Sequence, residues 1–260
     1  MMHYRIGRLA ERLNYYPVNV IPTDYGNGDV LIYAESQFER ATRTIPCAKE
    51  PDTIKWIQTM IQPGDVVFDV GANIGNYSLI IGKHLNKNVR VFAFEPAWFN
   101  FTQLNRNVSL NGLANCVFPV CVALSDEPGI SWLNYSTLEY GSSMHSLGKA
   151  VRLRDQEFEP VLRQPVSSYT LDQAAASLGV PNHIKIDVDG LEKEILSGAA
   201  STLENPSLRS LLVELCGDNP GDQQAIENIL AAGFKIWNIQ EKPRNEFVNF
   251  AAHANYIFVR

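Results

Sequence analysis

Four short apolar runs in this chain end on acidic residues. Val66-Val67-Phe68 leads to Asp69, Val91-Phe92-Ala93-Phe94 to Glu95, Ile184-Lys185-Ile186 to Asp187 with Asp189 two residues on, and Leu211-Leu212-Val213 to Glu214. Runs of this length read as buried strands, and in an open α/β sheet ligands gather at the carboxyl ends of the strands. Carboxylates scattered over more than half the chain would then share one edge in space. A single acid at a strand end can simply cap the next helix, whose N-terminus favours negative charge. Four together raise one another's cost of ionisation unless something positive joins them, so the edge calls for a metal ion, a cationic ligand or both.

The first strand-to-helix turn narrows the choice. It reads Asp69-Val70-Gly71-Ala72-Asn73-Ile74-Gly75. Gly71 permits a tight turn and a close ligand, and Gly75 lets the helix start near the sheet. The turn is not the GxGxxG of dinucleotide sites, because asparagine stands at 73 and Asp69 would repel a diphosphate; no GK[ST] follows, so it is not a P-loop. Glu95 ends the next strand, at the spacing where an acid bonds both hydroxyls of a ribose, two acceptor oxygens meeting two donors. Its competing role is a cap on the helix that Pro96 opens. Ribose recognition, no phosphate cradle and a demand for positive charge together describe S-adenosylmethionine, whose sulfonium and ammonium are cationic and which carries no phosphate.

Methyl transfer to an alcohol needs donor and acceptor held in line and a group to remove the proton. Strand alternation through 184–189 puts Lys185, Asp187 and Asp189 on one face, where they either pair with one another or look into a cleft. Asp187 is the first candidate for general base or acceptor-positioning group, with Asp189 beside it. Lys185 is read as the structural partner of a carboxylate. His145, in YGSSMHS, is the second candidate base, since its ordinary pKa suits the task; His183, His84 and His253 have weaker claims. Trp98, Phe99 and Phe101 are expected to pack a helix rather than form an aromatic box. No metal ligands are assigned, although a metal-assisted variant would use Asp187, Asp189 and Glu214.

The elements that must position these groups follow from the patterning. VNVIPTDYGNGDVLIYA reads as a β-hairpin, and Ile54, Ile57, Met60 and Ile61 space a helix that Pro63-Gly64 ends. From Val66 onward short apolar runs alternate with helical patterns, which means βαβ units and a parallel sheet, with the last two strands close enough in sequence to pair antiparallel. VFPVCVAL is the third of these strands. The span 125–165 reads as a long irregular loop. Residues 1–50 are expected to form an N-terminal extension that caps the acceptor side, and 51–260 the main domain.

The chain has 260 residues with 22 Lys+Arg against 28 Asp+Glu, a formal charge of -6. That balance argues against nucleic acid as a partner, which needs a basic footprint. Cys47, Cys116, Cys121 and Cys216 form no CxxC pair, so neither zinc nor a disulfide framework is expected. The opening residues lack the apolar core of a signal peptide, and no stretch is apolar enough to span a bilayer. A cytoplasmic protein with no membrane partner is expected, and its four N-x-[ST] sequons, at Asn76, Asn100, Asn107 and Asn134, are then chance matches. Oligomeric state leaves no trace in the pattern.

As a set, VVFDVGANIGNYSLI, FAFEP with Leu104, Asn107 and Asn111 behind it, VALSDEPG, SSYTLDQ, and HIKIDVDGLEKEILSGA followed by LLVEL resemble the FkbM-type S-adenosylmethionine-dependent methyltransferases. The resemblance runs from about residue 50 to the C-terminus. It implies a class I fold: an α/β Rossmann-like seven-stranded sheet, mostly parallel, with its last strand antiparallel. It further implies methylation of a hydroxyl on a small metabolite, sugar or polyketide-like acceptor. Asp69, Gly71, Asn73 and Gly75 would form the cosubstrate loop, Glu95 would hold the ribose, and Ala123 and Leu124, ending the third strand, would lie against the adenine. The family often has glutamate where this chain has Asp189, one methylene shorter. Two other readings stand beside it: a nicotinamide-dependent oxidoreductase, and a cosubstrate-binding module without catalysis.

Overall fold

The computed structural model describes residues 19–152, 156–241 and 253–260. The hairpin is present as β1 (Val20–Pro22) and β2 (Leu31–Tyr33), antiparallel with Val20 opposite Tyr33. Its turn passes through Gly26, Asn27 and Gly28, all at positive φ. Three helices follow. In α1 (Gln37–Thr42) Ser36 and Glu39 cap each other's backbone N–H groups; α2 (Pro46–Lys49) and α3 (Pro51–Met60) each open on proline, which has no N–H to leave unsatisfied. Helix α3 buries Ile54, Trp56 and Ile57 at the spacing read from the sequence, and Trp56 donates its indole N–H to Ser210 Oγ at 2.8 Å.

Strands β3 (Val66–Val70), β4 (Arg90–Phe94) and β5 (Val117–Val120) alternate with α4 (Asn76–His84) and α5 (Trp98–Leu110). The chain then lays down β6 (Ala123–Leu124), β7 (Gly129–Tyr135), β8 (Ser146–Leu147), β9 (Val151–Arg152), β10 (Gln156–Glu157) and β11 (Leu162–Tyr169). Next come α6 (Leu171–Leu178), β12 (His183–Ile186), α7 (Glu192–Ser197), α8 (Ala200–Glu204), β13 (Ser210–Cys216), α9 (Pro220–Ala231), β14 (Lys235–Glu241) and β15 (His253–Val259).

The main sheet has seven strands in the order β14-β15-β13-β12-β3-β4-β5. Its five inner and edge strands from β13 to β5 are parallel, and β15 runs antiparallel to both β13 and β14. Every residue of β3 is buried, as a central strand covered on both faces requires. Val67 packs with α3, α4 and α5 on one face, while Val66, Phe68 and Val70 pack with α6, α7 and α9 on the other.

Two expectations are corrected. The span 125–165 is not an irregular loop: β7 and β11 pair antiparallel over seven residues within it and, with β6 and β8, make a second sheet in the order β6-β11-β7-β8. The third strand of the main sheet stops at Val120, and Ala123–Leu124 belong to the second sheet, paired parallel with Ser168–Tyr169. The short break at Cys121-Val122 moves the chain from one sheet to the other.

Just past the carboxyl ends of β3 and β12 the two backbones approach closely at Gly71. Gly71 has φ +78°, and a Cβ there would overlap the carbonyl oxygen of Asp187. Gly71→Ala therefore combines a disfavoured conformation with a backbone collision and is expected to cost about 3 kcal/mol or more. Gly64 has φ +92° but open space around it, so Gly64→Ala carries only the conformational part, about 1–2 kcal/mol. Thermal unfolding of the two variants, with the larger drop in Tm at Gly71, checks this difference.

Candidate functional site

A cavity opens at the carboxyl ends of β3, β4 and β12, the edge at which open α/β sheets bind ligands. Glu95, 6% exposed, sits in its wall just past β4. Its Oε2 accepts the Asn73 N–H at 2.9 Å and its Oε1 the Ala97 N–H at 2.8 Å. Each oxygen keeps a second lone-pair direction. Burial pushes the Glu95 carboxyl up to about 7, the two backbone donors pulling the other way. Glu95 is not a helix cap, because α5 starts at Trp98 with Ala97 before it. It braces the first strand-to-helix turn against the end of β4.

Gly71 and Asn73 line the same cavity, as do Val122, Ala123 and Leu124 from the crossing between the two sheets, facing Leu191 and Ile195. Asn73, at φ +52°, spends its side chain on the protein: Nδ2 donates to the Ser142 carbonyl at 2.8 Å and Oδ1 accepts the Ile74 N–H at 3.0 Å.

Asp69 and Gly75, expected in the cosubstrate loop, are not among the residues that line this cavity. Asp69 is 1% exposed and lies opposite Lys185 in the β3–β12 register, so both side chains leave neighbouring strands on the same side. Ser78 donates to Asp69 Oδ2 at 2.6 Å, and the Lys185 ammonium stands 3.8 Å from Asp69 Oδ1 and 3.1 Å from Asp187 Oδ2, over the ring of Tyr77. Burial alone would lower the Lys185 ammonium, but Asp187 and Asp69 overcome it and hold it above its ordinary value. Burial raises the Asp69 carboxyl, with Lys185 and Ser78 opposing. Lys185 is thus a carboxylate partner in the sheet. Gly75 precedes α4 at φ +95°, and a Cβ there would strike Leu104: it sets the packing of α4 on α5.

Asp187 and Asp189 do line the cavity. Asp189, a non-glycine residue at φ +62°, accepts the N–H of Met144 at 2.7 Å, and Met144 is itself at φ +65°. This bond ties the segment 139–148, which gives Ser142, Ser143, His145 and Leu147 to the cavity wall, to the turn after β12. The same segment is held by Asn100, which donates to the Ser142 carbonyl at 3.0 Å and accepts the Gly141 N–H at 2.9 Å. Arg43 holds it too, giving Nε and Nη2 to the Gly141 carbonyl at 2.9 and 2.6 Å.

His145 lines the cavity but is poorly suited to be a base. Its ring lies between Phe99 and Tyr135, and burial lowers its pKa to about 4. The Ser136 N–H points at Nδ1 from 3.3 Å, which assigns the ring proton to Nε2, 3.2 Å from Ser142 Oγ. The lone pair a base would use is engaged, so His145 fastens the loop. Phe99 packs on this ring and the second sheet, while Trp98 is half exposed. His183 is buried between Asp65 and Ser210. Glu214 faces a neighbouring cavity with Asp222 and His253 rather than the one that holds Glu95. Among the described residues no set of three or more His, Cys, Asp or Glu is placed to hold a metal ion, and no helix is long and apolar enough to cross a membrane.

Sequence reasoning missed Arg43, Asn100 and Ser142. The signal for Asn100 was available: Asn100, Gln103, Asn107 and Asn111 recur at helical spacing on the buried side of α5. Asn107 bonds the Tyr33 N–H and the Ile74 carbonyl, and Asn111 both backbone groups of Leu31, so this polar stripe fastens the hairpin to the site. Chemically, the cavity offers carboxylates from Glu95, Asp187 and Asp189, an apolar slot, and no lysine or arginine among its lining residues. It suits a cationic ligand with hydroxyl donors and an apolar ring.

A model of the methyltransferase FkbM domain matches residues 69–236. The 31-O-demethyl-FK506 methyltransferase FkbM of Streptomyces tacrolimicus is 30% identical over 181 residues, 60% of this chain and 66% of that protein. The hexuronic acid methyltransferase AglP of Haloferax volcanii is 27% identical over 175 residues, 66% of this chain and 65% of that protein. The match thus spans just under two thirds of the length of these two curated relatives. A solved structure of a methyltransferase FkbM from Methylobacillus flagellatus shares the fold, with a TM-score of 0.52 at 14% identity over 77% of this chain and 45% of that one. The matched span opens on Asp69 and closes within β14, taking in every residue that lines the cavity around Glu95, and the chain belongs to the FkbM methyltransferase family.

Proposed function

We propose that this chain binds S-adenosylmethionine in the cavity at the ends of β3 and β4 and moves its methyl group to a hydroxyl of a small acceptor, a metabolite, sugar or polyketide-like scaffold. One observation carries the reading: Glu95, buried and fixed by two backbone donors, presents two oxygens to a cavity lined also by Asp187 and Asp189, with no lysine or arginine among the described residues that line it. A ribose diol supplies the two matching donors, and Ala123 and Leu124 with Leu191 and Ile195 supply an apolar slot for adenine. When bound, S-adenosylmethionine supplies a methyl group already activated by its sulfonium. A nicotinamide dinucleotide fits poorly, since its diphosphate would meet Asn73 and carboxylates where it needs free backbone donors and positive charge.

In this reading Asp187 takes the acceptor's proton. It follows β12 directly, reaches the cavity, and lies 3.1 Å from the Lys185 ammonium. Asp189 and Asn73 hold the segment 139–148 over the site and restrict water there. The oxygen acceptor draws support from the name of the Streptomyces relative, which acts on a 31-O-demethyl substrate.

Isothermal titration with S-adenosylhomocysteine tests the reading. Wild-type protein binds it, and Glu95→Gln, which removes the charge and one acceptor oxygen, weakens binding roughly 10- to 100-fold; no binding, or binding untouched by the substitution, overturns it. NADH shows no saturable binding in the same assay.

Affinity should also follow pH. Glu95 ionises at about 7, and the ionised form accepts two hydroxyl donors, whereas the neutral acid gives up one acceptor to its own proton. Affinity for S-adenosylhomocysteine therefore rises as pH increases from 6 to 8, by up to about tenfold per unit below the pKa. Glu95→Gln flattens the profile. A wild-type profile flat over the same range removes Glu95 from the contact.

A further inference from the structure

We infer that residues 139–144, the tip of the hairpin between β7 and β8, form a gate that lifts off the Glu95 cavity to admit and release the donor, and that Asn100 is the positioning residue that latches it. The inference rests on the donor reading above and adds the step that exchanges the ligand. As it stands the cavity holds about 90 Å³, whereas pockets for small molecules run from about 300 Å³ upward. A nucleoside therefore enters only if a wall moves.

The walls differ in what holds them. Val70, Phe94, Leu124 and Ile195 belong to the main core, and Ala97, Ala123 and Leu133 to the core under the second sheet. Displacing any of these exposes apolar surface. The tip gives Ser142 and Ser143 to the wall, and its two hydrophobic side chains, Tyr140 and Met144, are only partly buried. Segments with few buried apolar contacts open at the lowest cost. The base of the hairpin is fixed, with the His145 ring between Phe99 and Tyr135 and Ser146 and Leu147 paired to Asn134 and Leu133.

The tip is held down by side chains that bond its backbone. Asn100, 1% exposed on α5, uses both ends of its amide, donating to the Ser142 carbonyl at 3.0 Å and accepting the Gly141 N–H at 2.9 Å. Asn73 gives a second amide N–H to the same Ser142 carbonyl, Ser36 Oγ donates to the Tyr140 carbonyl at 3.3 Å, and Asp189 takes the Met144 N–H. Such bonds exchange for bonds to water at small net cost, so they keep a gate shut without locking it. Asn73 also ties the latch to the ligand. Its N–H rests on Glu95 while its side chain rests on Ser142, so a ligand bonded to Glu95 steadies the residue that holds the tip.

Stopped-flow mixing with S-adenosylhomocysteine, followed by tryptophan fluorescence, tests the gate. In wild type the observed rate is expected to level off at high ligand concentration, where opening limits entry, and Asn100→Ala to raise that ceiling about tenfold. Asn100→Asp, which keeps the acceptor for Gly141 and loses the donor for Ser142, falls between the two. Asn100 borders the cavity, but losing a direct ligand contact would speed dissociation and leave the ceiling in place. A rate that climbs linearly with ligand, or a ceiling that neither variant moves, overturns the gate. Hydrogen exchange on wild type decides should the variants fail to fold or the fluorescence stay silent. The Gly141 and Met144 amides are expected to exchange at least about tenfold faster than those of β3 and β4, and to slow when S-adenosylhomocysteine is added; exchange as slow as the sheet sinks the gate. Binding without a ceiling removes the gate and leaves the donor site standing, whereas no binding removes the donor reading and the gate with it.

Discussion

A lysine ammonium held in the middle of a parallel sheet is the constraint around which the site is arranged. Lys185 is 2% exposed, and its charge is tolerable only because Asp69 and Asp187 lie within 3.8 and 3.1 Å. The three groups come from two adjacent strands in register and from the residue that follows one of them. Removing any one would leave a buried charge without its counterweight, a loss far larger than a surface ion pair carries. The pairing therefore fixes where β12 ends relative to β3, and with it the collision-free path that only Gly71 can follow past the Asp187 carbonyl. It also divides the acids at the sheet edge into two kinds. Asp69 is consumed by the sheet, while Asp187 is held by the same cation yet reaches the cavity that Glu95 lines.

The second organising device is the use of side-chain amides and carboxylates to hold backbone. Glu95 joins the turn after β3 to the start of α5; Asn100, Asn73, Asp189 and Arg43 converge on Gly141, Ser142 and Met144 of one loop. Two of the residues so held, Met144 and its partner Asp189, sit at positive φ without being glycine. Strain of that kind persists only where surrounding bonds determine the conformation, and it concentrates at functional sites. Here it aims the loop over the cavity that Glu95 lines.

Much of this was legible in the residues. The parallel strands announced themselves as short apolar runs between helical patterns, and the acids at their ends marked the correct edge of the sheet. The second sheet was hidden for a physical reason: β11 carries Pro165 in mid-strand, where proline usually argues against one, and β7 runs Trp132-Leu133-Asn134 without clean alternation. Pro165 is accommodated because Trp132 opposite it turns its carbonyl the other way, to the Gly148 N–H at 2.8 Å. On the other side β6 reaches β11 only at Ser168–Tyr169, so neither neighbour needs an N–H from position 165. The role of Asp69 was hidden because strand position alone does not say which cation lies across the register; Lys185 is over a hundred residues away in sequence. His145 misled for the opposite reason. A histidine in a loop reads as accessible, and nothing local reveals that Phe99 and Tyr135 enclose it and that Ser136 engages its lone pair.

The charge pattern of the two cavities, taken together, is more informative than either alone. Around Glu95 the wall is acidic and apolar, which favours a nucleoside bearing positive charge and penalises phosphate. A second cavity beside Asn76 is mixed, with Arg43, Lys49, Lys185 and Asp187 among its lining residues. Asp187 belongs to both, and the Lys185 ammonium, 3.1 Å from it and 3.8 Å from Asp69, offsets the repulsion between these two carboxylates. A sheet built to bind a dinucleotide would place backbone donors and a glycine at position 73. This chain places an asparagine there and commits it to the loop overhead, converting a phosphate cradle into a latch, and that substitution makes the electrostatics of the edge consistent with a phosphate-free donor.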